Sequence, residues 1–187
     1  MPRTADPVKR AELLKQVIEY LQEHGVADMS LAPMAAALGT SKRMLLYYFG
    51  DRGELLAQAL NASRPDVSGM FDDIGTEAEF VAAAQSLWRA ITRGAQRRTV
   101  GLMLQVLSLA ITDPDTYQPY ADQAVTLMLD PITRALEGLG YRKPEARVRA
   151  SLIVSGLRGL CQDGLVTGDS ARINAAANLV IAAAVTT

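Results

Sequence analysis

The stretch SKRMLLYYFGDR, residues 41–52, decides how the chain is read. Lys42 and Arg43 precede two leucines, two tyrosines and a phenylalanine, and Gly50 and a further arginine close the run. A helix buried on all sides excludes the charges, and a helix solvated on all sides excludes the aromatics. At about 100° per residue the two kinds separate by face. Leu45 and Phe49 fall together, where they can pack on the preceding helices at Met34 and Leu38. The opposite face is centred on Arg43, Met44 and Tyr47, flanked by Leu46 and Tyr48, with Lys42 at the exposed first turn.

The residues upstream punctuate two more helices. Asp6 can cap and Pro7 suits a first turn; Leu14, Val17, Ile18 and Leu21 then recur at helical spacing until Gly25 offers a left-handed stop. Ser30 caps a short second helix, Leu31 to Leu38, in which Pro33 is harmless because first-turn amides have no intrahelical partner. Gly39 ends it, and Thr40 or Ser41 caps the third helix, which runs to about Phe49. Two helices joined by so short a glycine turn have helix-turn-helix spacing.

A short helix with a basic, aromatic and hydroxyl-bearing face suits duplex DNA. Lysine and arginine neutralise phosphate or reach guanine, tyrosine hydroxyls donate to phosphate oxygens, and Met44 or Leu46 can meet a thymine methyl. The free amides of the helix start, beside Thr40 and Ser41, add an anion site. The same pattern also suits an ordinary surface helix, so spacing by itself leaves both readings open.

Whole-molecule properties narrow the classes. Leucine and alanine dominate, and nowhere do β-branched and aromatic residues alternate over a strand's length, which predicts an all-α protein. Net charge is −1 across 187 residues, so no global field draws the chain to nucleic acid or acidic lipid, and any such binding is local. The single cysteine, Cys161, excludes an intrachain disulfide and reads as a small buried hydrophobe. No signal-peptide core stands at the N-terminus, and the longest apolar run, near Ala175 to Val185, falls short of the roughly 20 residues of a bilayer span, so a cytoplasmic location without membrane contact is expected.

From about Leu13 to Leu56 the sequence resembles the DNA-binding domain of the TetR family of transcriptional regulators. The matching pieces are LLKQVIEYLQEHG, MSLAPMAAALGTSKRMLLYYF and GDRGELL, about the first third of the chain. Gly39, Ser41, Lys42, Leu45, Tyr47 and Phe49 stand where that family places its glycine-x-serine-lysine turn and its leucine-to-phenylalanine recognition helix. The resemblance implies that Lys42, Arg43 and Met44 meet base edges and that Tyr47 and Tyr48 meet phosphates. It further implies that Arg52, opening the next helix, grips the backbone, and that Ser30 both caps and reaches a phosphate. Two positions depart from the pattern: Leu46 stands where a tyrosine is common, and Ala32 where a charged residue is frequent.

A fourth helix follows from Asp51 to about Ser63, then a looser connection marked by Arg64, Pro65, Gly69 and Gly75. The remainder reads as five further helices. One carries Phe80, Leu87, Trp88 and Ile91, and the next is LMLQVLSLAI. A third begins near Thr116, and two more lie around 144–165 and 170–185. Pro131 must kink the third of these or restart it. The expected organisation is thus a helix-turn-helix domain at 1–52 and a larger helical ligand-binding and dimerisation domain at 53–187.

Within the larger domain, GLRGLCQDGL and AAANLVIAAAV combine small residues with nearly unbroken apolarity, which fits either one chain's own core or a partner helix. The resemblance implies that these two helices pair with a second subunit, placing Gly156, Gly159, Leu160, Leu179 and Val180 at a homodimer interface. It also implies a small-molecule effector between the helices, and Trp88, Met103, Leu107, Tyr117, Tyr120 and Met128 are candidate lining residues. Few obvious charges face that region, so an apolar or aromatic effector is expected.

Nothing arranges catalysis. His24, the single histidine, suits capping or packing at the end of the first helix, with no nucleophile or acid placed beside it. One histidine and one cysteine do not make a zinc site, Asp72 with Asp73 and Asp113 with Asp115 read as solvated caps or loops, and no phosphate-cradling glycine motif is present. The sequence therefore predicts a DNA-binding regulator, not an enzyme, with neither metal nor cofactor and with double-stranded DNA, an effector and a second copy as partners. An all-helical protein-interaction module is the alternative.

Overall fold

In a computed structural model of the chain, which describes residues 6–26, 29–63, 69–94 and 96–186, Asp6 caps the first helix as its position predicts. Its Oδ1 accepts from the amides of Val8 and Lys9 at 3.0 and 3.3 Å. The helix, α1 (Pro7–His24), stops at Gly25, whose φ of 77° a side chain would strain. Then come α2 (Leu31–Ala37), α3 (Lys42–Phe49) and α4 (Arg52–Ala62). Further on lie α5 (Glu77–Thr92), α6 (Gln96–Thr112), α7 (Pro114–Gly138), α8 (Lys143–Thr167) and α9 (Ser170–Ala183). Among the described residues every regular element is helical, so the all-α expectation holds.

The helices form two compact units. One is Met1–Arg64 with Gln105–Ala121; the other is Pro65–Leu104 with Asp122–Thr187. α4 therefore belongs with the N-terminal helices, packing on α1 and α3, whereas a cut at residue 52 would detach it. Its start is fixed by a capping box: Asp51 Oδ1 accepts from the Glu54 amide at 2.8 Å, and Glu54 Oε2 accepts from the Asp51 amide at 3.3 Å. The connection expected at Arg64 and Pro65 lies outside the described residues.

In the first unit Val17, Leu21, Met34, Leu45, Phe49 and Leu60 are buried, drawn from α1 to α4 at helical spacing. Ser30 holds the N-cap position of α2 with extended backbone, but its side chain makes no capping bond, so the capping role expected of that hydroxyl is not realised. In the second unit Phe80, Leu87, Ile132, Leu136, Ile153 and Ile181 anchor a core drawn from α5, α7, α8 and α9.

α7 begins at Pro114, only Asp113 separating it from α6, and it passes through Pro131 as a single helix. Of the kink or restart expected there, the restart does not occur. Leu127, whose carbonyl the proline deprives of a donor, lies on the exposed side of α7, where water can substitute.

α8 and α9 form a hairpin. Gly168 at φ 71° closes α8, its amide donating to the Gly164 carbonyl at 3.1 Å, and Asp169 caps α9 through the Arg172 amide at 3.1 Å. Arg172 then clasps both helices: its terminal nitrogens donate to the two Asp163 oxygens at 2.7 and 2.9 Å, and its Nε to Asp169 at 3.1 Å. These hydrogen bonds hold the Asp163 carboxyl below its ordinary value and push Arg172 upward. A carboxyl depressed by folding stabilises the native state above its unfolded pKa, and that contribution disappears as pH falls through the folded value. Asp163→Asn should therefore melt below the parent at neutral pH and equal to it once both are acidified below the aspartate range. Parallel melting curves across pH check this; a gap that persists in acid contradicts it.

Candidate functional site

The exposed face of α3 is built by what holds its other face down. Leu45 and Phe49 are 1% and 2% exposed, whereas Tyr47 on the opposite side is 51% exposed. Ser41 Oγ caps the helix by accepting from the Met44 amide at 3.2 Å, and the helical ladder offers no partner to the amides of Lys42 and Arg43. The dipole of the helix start and two free amides thus sit beside two cations, an arrangement that attracts an anion.

The C-terminal end is pinned by side chains. Arg10 of α1 donates through Nε to the Tyr48 carbonyl at 3.3 Å, and Gln58 of α4 donates through Nε2 to the Phe49 carbonyl at 3.2 Å. Arg10 also donates to Gln58 Oε1, and its guanidinium lies 5.4 Å from the centre of the Phe49 ring. Carbonyls that a helix end leaves open are thereby satisfied. Periodicity did not mark Arg10 or Gln58, because each acts through a polar head directed at a loop-facing carbonyl.

The ten residues read as DNA contacts cluster at the α2–α3 edge and the start of α4. Ser30, Ser41, Lys42, Arg43, Leu46, Tyr47 and Arg52 are exposed; Thr40, Met44 and Tyr48 are half-buried. Arg52 donates through Nε to the Met29 carbonyl at 3.1 Å, which aims the guanidinium and leaves its other N–H groups available. Tyr47 and Tyr48 meet edge to face, their ring centres 5.2 Å apart. Leu46, the departure from the family pattern, is at the surface beside them.

The other candidates are more dispersed. Leu107, Tyr117 and Tyr120 belong to the first unit, and Trp88, Met103 and Met128 to the second. Of these six, Trp88 alone lines a cavity of about 330 Å³ that the second unit forms between the ends of α5 and α8 and the starts of α6 and α9. The interface candidates point in different directions. A Cβ on Gly156 would meet Val180 Cγ1 at 2.7 Å, so this glycine lets α9 approach α8 within one chain, while Gly159 opens onto free space. Leu160 is half-buried against the unit's core, Val180 is half-buried, and Leu179 is 72% exposed.

His24 stacks on Tyr20 with ring centres 4.1 Å apart, and its Nδ1 lies 3.0 Å from the Tyr20 carbonyl, a packing arrangement. Cys161 is buried, which pushes its thiol up to about 11 and keeps it neutral at physiological pH. Among the described residues no cluster of three metal-ligating side chains occurs, and no helix is long and apolar enough to cross a membrane.

No protein-family model matches the chain. The HTH-type transcriptional regulator BetI of Stenotrophomonas maltophilia is 34% identical to it over 61 residues, 32% of this chain and 31% of that protein. The chain thus matches about a third of that relative's length. Likeness to solved structures extends much further. A TetR transcriptional regulator from Legionella pneumophila superposes with a TM-score of 0.75 at 17% identity, over 98% of this chain and 99% of that one. A transcriptional regulator from Rhodococcus sp. Rha1 gives 0.73 at 19% identity, over 93% and 94%. The multidrug binding protein EbrR, complexed with proflavin, gives 0.60 at 17% identity, over 92% and 99%. At these identities the likeness establishes the fold, which is that of TetR-family transcriptional regulators.

Proposed function

We propose that the chain is a cytoplasmic, homodimeric repressor of the TetR type, which binds a palindromic DNA site through α3 and leaves it when a small molecule binds the second unit. The observation that carries this reading is the sidedness of α3: Lys42, Arg43 and Tyr47 are exposed while Leu45 and Phe49 anchor the helix from behind. The local match to a helix-turn-helix regulator and the shared fold support it.

A palindrome needs two readers, and the hairpin of α8 and α9 offers a surface to join them. On α8, Val148, Leu152, Ser155, Gly159, Gln162 and Val166 recur at intervals of four and three and are all exposed. On α9, Ala175, Leu179 and Ala182 do the same. Val166 is 81% and Leu179 72% exposed, values that a partner helix would lower. Two such hairpins crossing about a two-fold axis would make a four-helix interface.

Small-molecule control is supported by the cavity of the second unit and by the fold shared with a multidrug binding protein complexed with proflavin. To release DNA, the effector must favour one conformation by differential affinity; equal binding to both shifts nothing. α6 is a physical route for that preference, since residues 96–104 belong to the second unit and 105–112 to the first. Within the first unit, Gln105 Oε1 accepts from the Val26 amide at 3.2 Å, just past the end of α1.

Selection of duplexes from a random DNA pool tests the reading. It should enrich two inverted half-sites whose centres lie about one helical turn, roughly 34–36 Å, or a multiple of it apart. Failure to enrich any palindrome overturns the proposal in favour of a protein-interaction module.

A further inference from the structure

The cavity beside Trp88 has a chemical polarity that its lining dictates. Trp88, Val100, Leu160 and Ile173 form apolar walls, and Arg93 and Arg97 stand at the edge. No aspartate or glutamate is among the lining residues, and among the described residues neither arginine forms an ion pair. Arg97 makes one long contact, 3.4 Å to the Gly164 carbonyl, which leaves most of its five donors unused.

Of the other polar groups in the lining, Asn174 adds donors and none adds a negative charge. The Trp88 indole N–H is engaged by Asn174 Oδ1 at 2.7 Å, so the ring faces the cavity as an apolar surface and the asparagine keeps its amide hydrogens. The Thr92 hydroxyl is turned back onto the Trp88 carbonyl at 2.6 Å. Burial keeps the Cys161 thiol protonated, so the wall contributes no negative charge. A cation here would meet two guanidinium groups, and a neutral ligand would leave them idle. An anion with an apolar body would satisfy both parts.

We infer that this cavity binds a small amphipathic carboxylate, its apolar ring or short chain against Trp88, Val100 and Ile173 and its carboxylate between Arg93 and Arg97. A volume of about 330 Å³ lies at the low end for small-molecule sites, which limits the body to one ring or a short chain. This adds a carboxylate to the apolar or aromatic effector expected from sequence. The site stands on its own lining; only its role in releasing DNA rests on the regulator reading.

Trp88 is the single tryptophan, so its emission reports the cavity directly. Octanoate titrated into the full chain should shift that emission and bind at least about tenfold more tightly than octanamide or octylamine, with the preference shrinking as salt rises. In Arg93→Gln/Arg97→Gln, with an unchanged far-ultraviolet spectrum, octanoate and octanamide should become equivalent. The singly substituted Arg93→Gln and the salt titration of the parent keep the test decisive if the double variant folds poorly. Octanamide or octylamine matching octanoate in the parent, a preference surviving the double substitution, or unresponsive emission with all three probes each overturns the assignment. A parallel release assay on the selected DNA separates the two readings. Octanoate that binds without releasing DNA leaves the site and removes its effector role, and failure of DNA selection removes the regulator reading while leaving the titration untouched.

Discussion

A chain carrying Leu152→Glu and Leu179→Glu is expected to sediment as a monomer and to lose about 10²–10⁴-fold in affinity for its palindromic site. Both leucines are exposed on the α8–α9 hairpin, so within one chain the substitutions place carboxylates in water at little cost. In a two-fold interface four carboxylates would be desolvated without cations, and each costs several kcal/mol. The loss in DNA affinity follows because a monomer forfeits the effective concentration that its tethered twin supplies. Gly159→Leu probes the same surface by shape, since its Cβ meets nothing within 4 Å of its own chain, whereas Gly156→Leu would collide with Val180 and damage the subunit itself. Analytical ultracentrifugation decides the matter: a dimer undisturbed by the double substitution removes the hairpin as the interface.

The second large effect concerns base reading. Arg43→Ala should weaken binding to the selected site by about 1–3 kcal/mol and relax preference at one position of each half-site, as expected for a guanidinium that grips a guanine edge. Arg52→Ala should weaken all duplexes alike and lower the salt dependence by about one unit per subunit, the signature of a phosphate contact. The structure sharpens the contrast. Arg43 rises from the exposed face of α3, whereas Arg52 is held at the start of α4 by its bond to the Met29 carbonyl. A gel-shift series in which both variants bind like the parent would refute the interface.

The first four helices were legible because their punctuation is local. Asp6, Gly25, Gly39 and Gly50 act through the chain on either side of them, and the three glycines take up φ values of 77°, 63° and 86°. The sorting of α3 was legible for the same reason, since helical phase alone separates Leu45 and Phe49 from Arg43 and Tyr47. Features that depend on distant chain were not. Nothing near Arg10 signals that it reaches the Tyr48 carbonyl 38 residues away. Nor does composition distinguish Gly156, which faces Val180, from Gly159, which faces outward, because the difference lies in where α9 returns. The cavity joins the ends and starts of four helices, so nothing local to Arg93 or Arg97 marks them as part of its lining. At Pro131 the sequence left a kink and a restart both open, and the unbroken α7 removes only the restart.

The shortness of α3 sets a limit on information. Eight residues bounded by Ser41 and by Gly50, where a Cβ would run into the Glu54 carboxylate, cannot lengthen at either end. At about 1.5 Å per residue the helix is about 12 Å long, and with base pairs stacked roughly every 3.4 Å it spans about four of them. Two copies reading DNA as proposed would specify about eight letters, a word that chance spells about once in 65,000 positions, while a genome offers about 10⁶ or more competitors. The remaining selectivity of the proposed dimer would then have to be written in bases that α3 never reaches, through the bendability of the spacer and the flanking duplex.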